Sequence, residues 1–120
     1  MDPDKTLKEI SAYCLAKPGG FEDHPWGDTA FKVGQKGRIF CFCGTQTPVI
    51  TVKSTLEKQS ALIQHPNIEI AAYVGRYGWV TVHMRDEQTY AIAFDLIDES
   101  YDLVAPPPSK RRAKSASSGD

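Results

Sequence analysis

Four residues, Gly34-Gln35-Lys36-Gly37, restrict what this chain can fold into more than any other part of it. They separate two short runs rich in apolar and aromatic residues, 30–33 and 38–44, and glycines around a polar pair make a tight hairpin turn. A chain that reverses there must pair the two runs as neighbouring antiparallel strands. In the second run, RIFCFCG, alternation puts Ile39, Cys41 and Cys43 on one face and Phe40 and Phe42 on the other. With both faces apolar, this strand belongs in the middle of a sheet. Thr45-Gln46-Thr47-Pro48 turns the chain again, and 49–53 is a further β-branched strand, so the order suggests an antiparallel meander.

Helices flank these strands. Asp2 as N-cap and Pro3 at the first helical position open a helix over 3 to about 17, with Leu7, Ile10 and Cys14 as its apolar stripe. Lys17-Pro18-Gly19-Gly20 stops it. Ser54-Thr55-Leu56-Glu57 reads as a capping box, with Ser54 as N-cap of a helix that ends before Pro66. Residues 67–75 fit a strand through Ile68, Ile70 and Ala72 or an irregular segment equally well. Residues 73–78 form a loop presenting Arg76 and Tyr77, and 79–84 is a strand with Val80, Val82 and Met84 opposite Trp79, Thr81 and His83. Asp86 caps a last helix whose stripe is Tyr90, Phe94, Ile97, Tyr101 and Val104. Residues 1–105 therefore make one α+β domain: an antiparallel sheet with helices packed on one face. Residues 106–120, Pro-rich and then basic, are expected to be disordered for want of apolar surface to bury.

The net charge of −1 is unevenly spread. Lys110, Arg111, Arg112 and Lys114 against Asp120 give the last twelve residues +3, leaving −4 on the rest. Six acids and no cation lie between Asp86 and Asp102, whereas eight cations face five acids from Lys17 to Arg85. No apolar run approaches the roughly 20 residues of a membrane-spanning helix, and the acidic start of the chain is not a secretory signal. Three cysteines, an odd number, suit free thiols in a reducing cytoplasm.

Glu22-x-x-Pro25-Trp26-Gly27, then Phe31-Lys32-Val33, then Trp79 opening a strand, then Ser100-Tyr101-x-Leu103-Val104 closing a helix together resemble the MmcQ/YjbR family. The likeness runs from about residue 5 to 105. It implies a CyaY-like (frataxin-like) antiparallel sheet with helices on one face. The family is described as a DNA-binding type with a double wing of β-hairpins, and its name brings no shared catalytic residues. The basic tail and the Cys41-x-Cys43 pair are departures from the common domain.

Candidate contacts follow from charge. Lys32, Lys36 and Arg38 put three cations within seven residues of the hairpin. Lys53, Lys58, Arg76 and Arg85 could extend them into a basic face, and Tyr77 could stack on a base. Lys110, Arg111 and Arg112 form an auxiliary cationic arm. Solvated turns are also commonly cationic, and a domain at −4 argues for weak binding.

Other residues read as scaffold. Glu22 and His24 could share one face only in a strand, and Glu22 is expected to fix the Pro25-Trp26-Gly27 corner by accepting backbone or indole hydrogen bonds. Cys41-x-Cys43 has the wrong spacing for zinc or redox chemistry, so the thiols are expected to be buried as small hydrophobes. Ser100 is expected to bond within its own helix. The frataxin-like fold raises iron delivery, but the first helix lacks the dense acidic ridge that would require. The chain thus reads as a non-enzymatic, cofactor-free, cytoplasmic monomer that binds DNA weakly and salt-sensitively through hairpin wings. The competing reading is a protein-interaction or small-ligand domain using a groove near Trp26 and Trp79.

Overall fold

A computed structural model describes residues 2–24, 28–44 and 48–106. The order of elements is α1 (Pro3–Leu15), β1 (Gly20–Asp23), β2 (Thr29–Val33), β3 (Arg38–Cys43), β4 (Val49–Val52), α2 (Leu56–Leu62), β5 (Ile68–Ile70), β6 (Val80–His83) and α3 (Glu87–Val104). A 3₁₀ turn over Gly75–Tyr77 precedes β6. The strands form one antiparallel sheet in the order β1-β2-β3-β4-β6-β5. The first four make the expected meander, and β6 then inserts between β4 and β5.

Two readings needed correction at this level. Gly20–Asp23, an unread segment, is the edge strand β1 paired with β2. It has no β-branched residue, and only tertiary pairing makes it a strand. The alternation along β3 also breaks: Phe31 pairs with Cys41 but Lys32 pairs with Ile39, so Phe40 is the extra residue of a β-bulge. Phe40 is fully buried and its ring meets Tyr101 of α3 edge-on at 5.3 Å. The bulge thus turns Phe40 into the helix-covered core instead of leaving it opposite Cys41.

Helices α1 and α3 run side by side in the same direction. Tyr90 hydrogen-bonds Glu9, Tyr13 packs edge-on against Phe94, Lys17 pairs with Asp98, and Tyr101 donates to the Pro18 carbonyl at 2.6 Å. Asp2 caps α1 as expected, accepting from the Asp4 amide, and Asp86 caps α3, accepting from Thr89 at 2.8 Å. The apolar stripe of α3 is displaced from its expected line. Thr89, Ala93, Leu96, Ile97, Ser100 and Tyr101 are buried, while Tyr90, Phe94 and Val104 are only partly so. Small side chains let the helix sit close on the sheet, and the aromatic residues are pushed sideways into the seam with α1.

Beneath these helices lie Ile10, Phe31, Phe40, Ile50, Val52, Val80, Val82 and Ile97, all fully buried. Each contributes about 1.5–3 kcal/mol of burial. All three cysteines are free and buried in the same core. Contacts with the Cys14 and Cys43 thiols, and then burial, push the Cys41 thiol well up, so it stays protonated and behaves as a hydrophobe. On the opposite face a row of paired positions, Phe42, Thr51 and Thr81, is half-buried, with Thr51 and Thr81 hydrogen-bonded at 3.1 Å.

Ser100 overturns its expected local role. Its hydroxyl, fully buried, donates to the Phe40 carbonyl at 2.6 Å and accepts from the Lys53 amide at 2.9 Å. It therefore bridges β3 and β4 where their ladder stops, and satisfies two backbone groups that would otherwise be orphaned. The capping box also shifts by one residue. Thr55 is the N-cap of α2, accepting from the Lys58 amide at 3.1 Å, whereas Ser54 is buried and donates to Glu99.

Candidate functional site

The sheet register gathers the basic residues by end. The β2–β3 turn, the last residues of β4, the first of β6, the last of β5 and the C-terminus of α3 all lie at one end of the strands, the turn end. Lys36 and Arg38 are there, both exposed. So are Lys53 just after β4 and Arg76 and Tyr77 just before β6. Two strand spacings, roughly 10 Å, separate β3 from β6. Arg38 and Arg76, 38 positions apart in sequence, thus come to lie on one rim.

Not every expected cation joins this rim. Lys32 lies within β2 and its ammonium is held by Asp23 at 2.6 Å, which neutralises it. Lys58 is taken up by Glu99 and Lys17 by Asp98. Arg85 sits at the opposite end, where it donates to the Asn67 side chain at 3.0 Å. Lys36, Arg38, Lys53 and Arg76 have no ion pair among the described residues. Lys110, Arg111 and Arg112 lie outside the described residues. The chain leaves them from Pro106, whose ring would lie 3.4 Å from a Cβ on Gly34, beside the basic turn.

Position 53 was undervalued by sequence reasoning. Lys53 donates to the Tyr77 carbonyl at 3.0 Å and stands 6.0 Å from the Trp79 ring centre, so it ties β4 to the 73–78 loop. That loop is firmly built. The buried side-chain amide of Gln59 donates to the Gly75 carbonyl at 2.7 Å and the Trp79 carbonyl at 2.9 Å, and the Ser54 amide donates to the Gly78 carbonyl at 3.1 Å. Gly78 has φ +98° and a Cβ there would lie 2.3 Å from the Ser54 carbonyl oxygen, so no other residue fits. Tyr73 adopts φ +66°, a left-handed conformation costing about 1–2 kcal/mol for a residue with a Cβ, and is 98% exposed. The Arg76 guanidinium lies 4.9 Å from the centre of the Tyr77 ring, itself 55% exposed. The glycines at 75 and 78 marked a turn, but nothing local marked Tyr73.

The Pro25-Trp26-Gly27 corner lies outside the described residues. Next to it in sequence, Glu22 of β1 and His24, two residues on, pair at 2.8 Å, while the expected bond from the Trp26 indole lies outside the described residues. Thr29 approaches the other ring nitrogen of His24 at 3.4 Å. These side chains are open to solvent, with His24 57% and Glu22 36% exposed. Trp26, and with it half of the expected groove near Trp26 and Trp79, falls outside the described residues. A shallow cleft of about 440 Å³ lies between the N-termini of α1 and α3, lined by Asp2, Lys5, Thr6, Glu9, Glu87 and Tyr90. Burial and then the hydrogen bond to Glu9 push the Tyr90 hydroxyl up to about 12, so it remains a neutral donor. Among the described residues, no group of three or more His, Cys, Asp or Glu side chains is placed to hold a metal ion. No helix among them is long and apolar enough to cross a membrane.

A six-stranded antiparallel sheet under two parallel helices, with a basic rim, defines a small mixed α+β domain. The model of the YjbR family matches residues 15–103, and the chain belongs to that family. Among solved structures, the chain is similar to Deinococcus radiodurans protein DR2400, a DUF419 domain. The two are 25% identical with a TM-score of 0.73, covering 82% of this chain and 77% of that one. It is also similar in fold to a protein from Pseudomonas syringae, at 20% identity and a TM-score of 0.63, covering 80% of this chain and 96% of that one. No curated protein matches the chain.

Proposed function

We propose that this YjbR-family protein is a non-enzymatic nucleic-acid-binding protein that meets phosphates with the turn end of its sheet. The observation that carries the reading is the convergence of Lys36, Arg38, Lys53 and Arg76 on one rim, with no ion pair among the described residues. Glu99, whose carboxylate reaches Ser54 next to Lys53, is already occupied by Lys58. The position of Pro106 beside Gly34 supports an auxiliary role for the basic residues that follow it in sequence. The β2–β3 hairpin supplies one wing and the 73–78 loop the other contact. Free thiols suit a protein that works as a monomer in the cytoplasm.

Binding of a labelled 20-nucleotide strand and its duplex, followed by fluorescence anisotropy, tests the reading. Four phosphate contacts give a slope in log affinity against log salt near −3.6 for the duplex and about −2.8 for the single strand, so affinity should fall roughly 150-fold and roughly 50-fold respectively between 50 and 200 mM salt. Lys36→Glu with Arg38→Glu should weaken binding to both forms and flatten that slope, and alanines at Lys110, Arg111 and Arg112 should weaken it less. An isotherm unchanged in the Lys36/Arg38 double variant removes the rim from the proposal.

A further inference from the structure

Resting on the reading of the turn end as a nucleic-acid surface, we infer that its preferred ligand is single-stranded, with bases stacking on Tyr73 and Tyr77 while Arg76 and Lys53 hold the phosphates. A fully exposed aromatic in a left-handed backbone contributes nothing to the core. Gln59 reaches from inside the fold to two carbonyls of the loop, and Lys53 clamps a third, so the rings are displayed by a braced segment. Arg76 covers part of the Tyr77 ring and leaves more than half of that side chain open.

Aromatic faces alternating with cations distinguish nucleic-acid forms. Bases in a duplex are stacked on each other and offer a protein only their edges and the phosphates, which the rim cations alone could meet. Bases of a single strand expose their faces, and stacking on an aromatic ring is indifferent to which base it is. Lys53 and Arg76 both lie beside Tyr77, on adjacent strand ends, so a strand crossing the loop would meet ring and phosphate contacts together. Lys36 and Arg38 continue the phosphate track along the same rim. The exposed residues around the loop include Leu56 and Ile70, which makes a protein surface the competing occupant. The adjoining cations without ion pairs favour the polyanion.

The full-length chain should be titrated with oligothymidine of 15 residues and with a 15-base-pair duplex at 50 mM salt. The expected result is tighter binding of the single strand and a loss of about 10-fold for Tyr73→Ala and again for Tyr77→Ala. Duplex affinity should stay unchanged in both, and Tyr73→Phe should retain single-strand binding. Far-ultraviolet circular dichroism checks that each variant folds. Equal affinity for the two forms, or single-strand binding untouched by the double alanine variant, overturns the inference and leaves the rim reading standing. Binding to neither form overturns both. Absence of oligonucleotide binding together with self-association lost on Ile70→Lys would assign the patch to a second copy of the chain and overturn the inference.

Discussion

Replacing Ser100 with alanine should be the costliest change of a single oxygen atom described in this fold. The hydroxyl is fully buried and is the sole bridge recorded between the Phe40 carbonyl and the Lys53 amide, at 2.6 and 2.9 Å. Its removal leaves a buried acceptor and a donor without partners, at about 1–3 kcal/mol each. The two backbone groups stand roughly 4–5 Å apart across the missing oxygen, from the summed length of two bonds at a tetrahedral angle. They can meet only if β3 and β4 close beneath α3, where the Phe40 bulge and the Tyr101 ring already fill the space. A net loss of about 3 kcal/mol is expected, corresponding to a melting temperature lower by roughly 15 °C for a domain of this size. Urea unfolding of wild type, Ser100→Ala and Ser60→Ala measures it. Ser60 is exposed and makes only a 3.3 Å bond to its own helix, so its alanine variant should stay within about 0.5 kcal/mol. A Ser100→Ala variant as stable as Ser60→Ala would refute the bridge as a support of the sheet.

Two further outcomes are open to direct measurement. Gly78→Ala forces a Cβ to 2.3 Å from the Ser54 carbonyl at φ +98° and should lower stability by about 2 kcal/mol or more in thermal unfolding, whereas Gly37→Ala, whose Cβ meets nothing closer than 3.6 Å, should cost about 1 kcal/mol. Burial pushes the Asp98 carboxyl up, but the bonds from Lys17 and Tyr13 outweigh it and hold the group below its ordinary value. Its stabilisation is therefore present above the unfolded carboxylate range and lost as pH falls through the lower folded value. Asp98→Asn should narrow the gap between urea midpoints at pH 7 and pH 3, and an unchanged gap would show that the carboxylate does not contribute.

Much of the architecture was legible because it rests on local rules. The Asp2 and Asp86 caps, the Gly34–Gly37 turn and the 2-residue period of Val80, Val82 and Met84 each follow from one segment's own chemistry. The errors all lie where a second segment decides. Ser100 was assigned a local bond because its nearest sequence neighbours form a helix, yet the partners it serves are sixty and forty-seven residues away. Phe40 could not be recognised as a bulge from RIFCFCG, since regular alternation is the simpler pattern and the bulge depends on Tyr101. At the candidate site, Lys36, Arg38, Arg76 and Tyr77 were visible as charged or aromatic turns. The silencing of Lys32 by Asp23, and of Lys58 by Glu99, required the pairing of β1 with β2 and the docking of α2 near α3.

By itself, the sequence determined an antiparallel α+β domain: short strands with tight turns can only pair with neighbours, and capped amphipathic segments must bury a face. The tertiary structure alone decided which cations share a rim. Charge is a property of residues, but a surface is made by strand order and register, and antiparallel register carries the end of β4 and the start of β6 beside the β2–β3 turn. It also decided how the segment from Gly75 to Trp79 is braced, since its carbonyls are bonded by Gln59 and Lys53 from other elements.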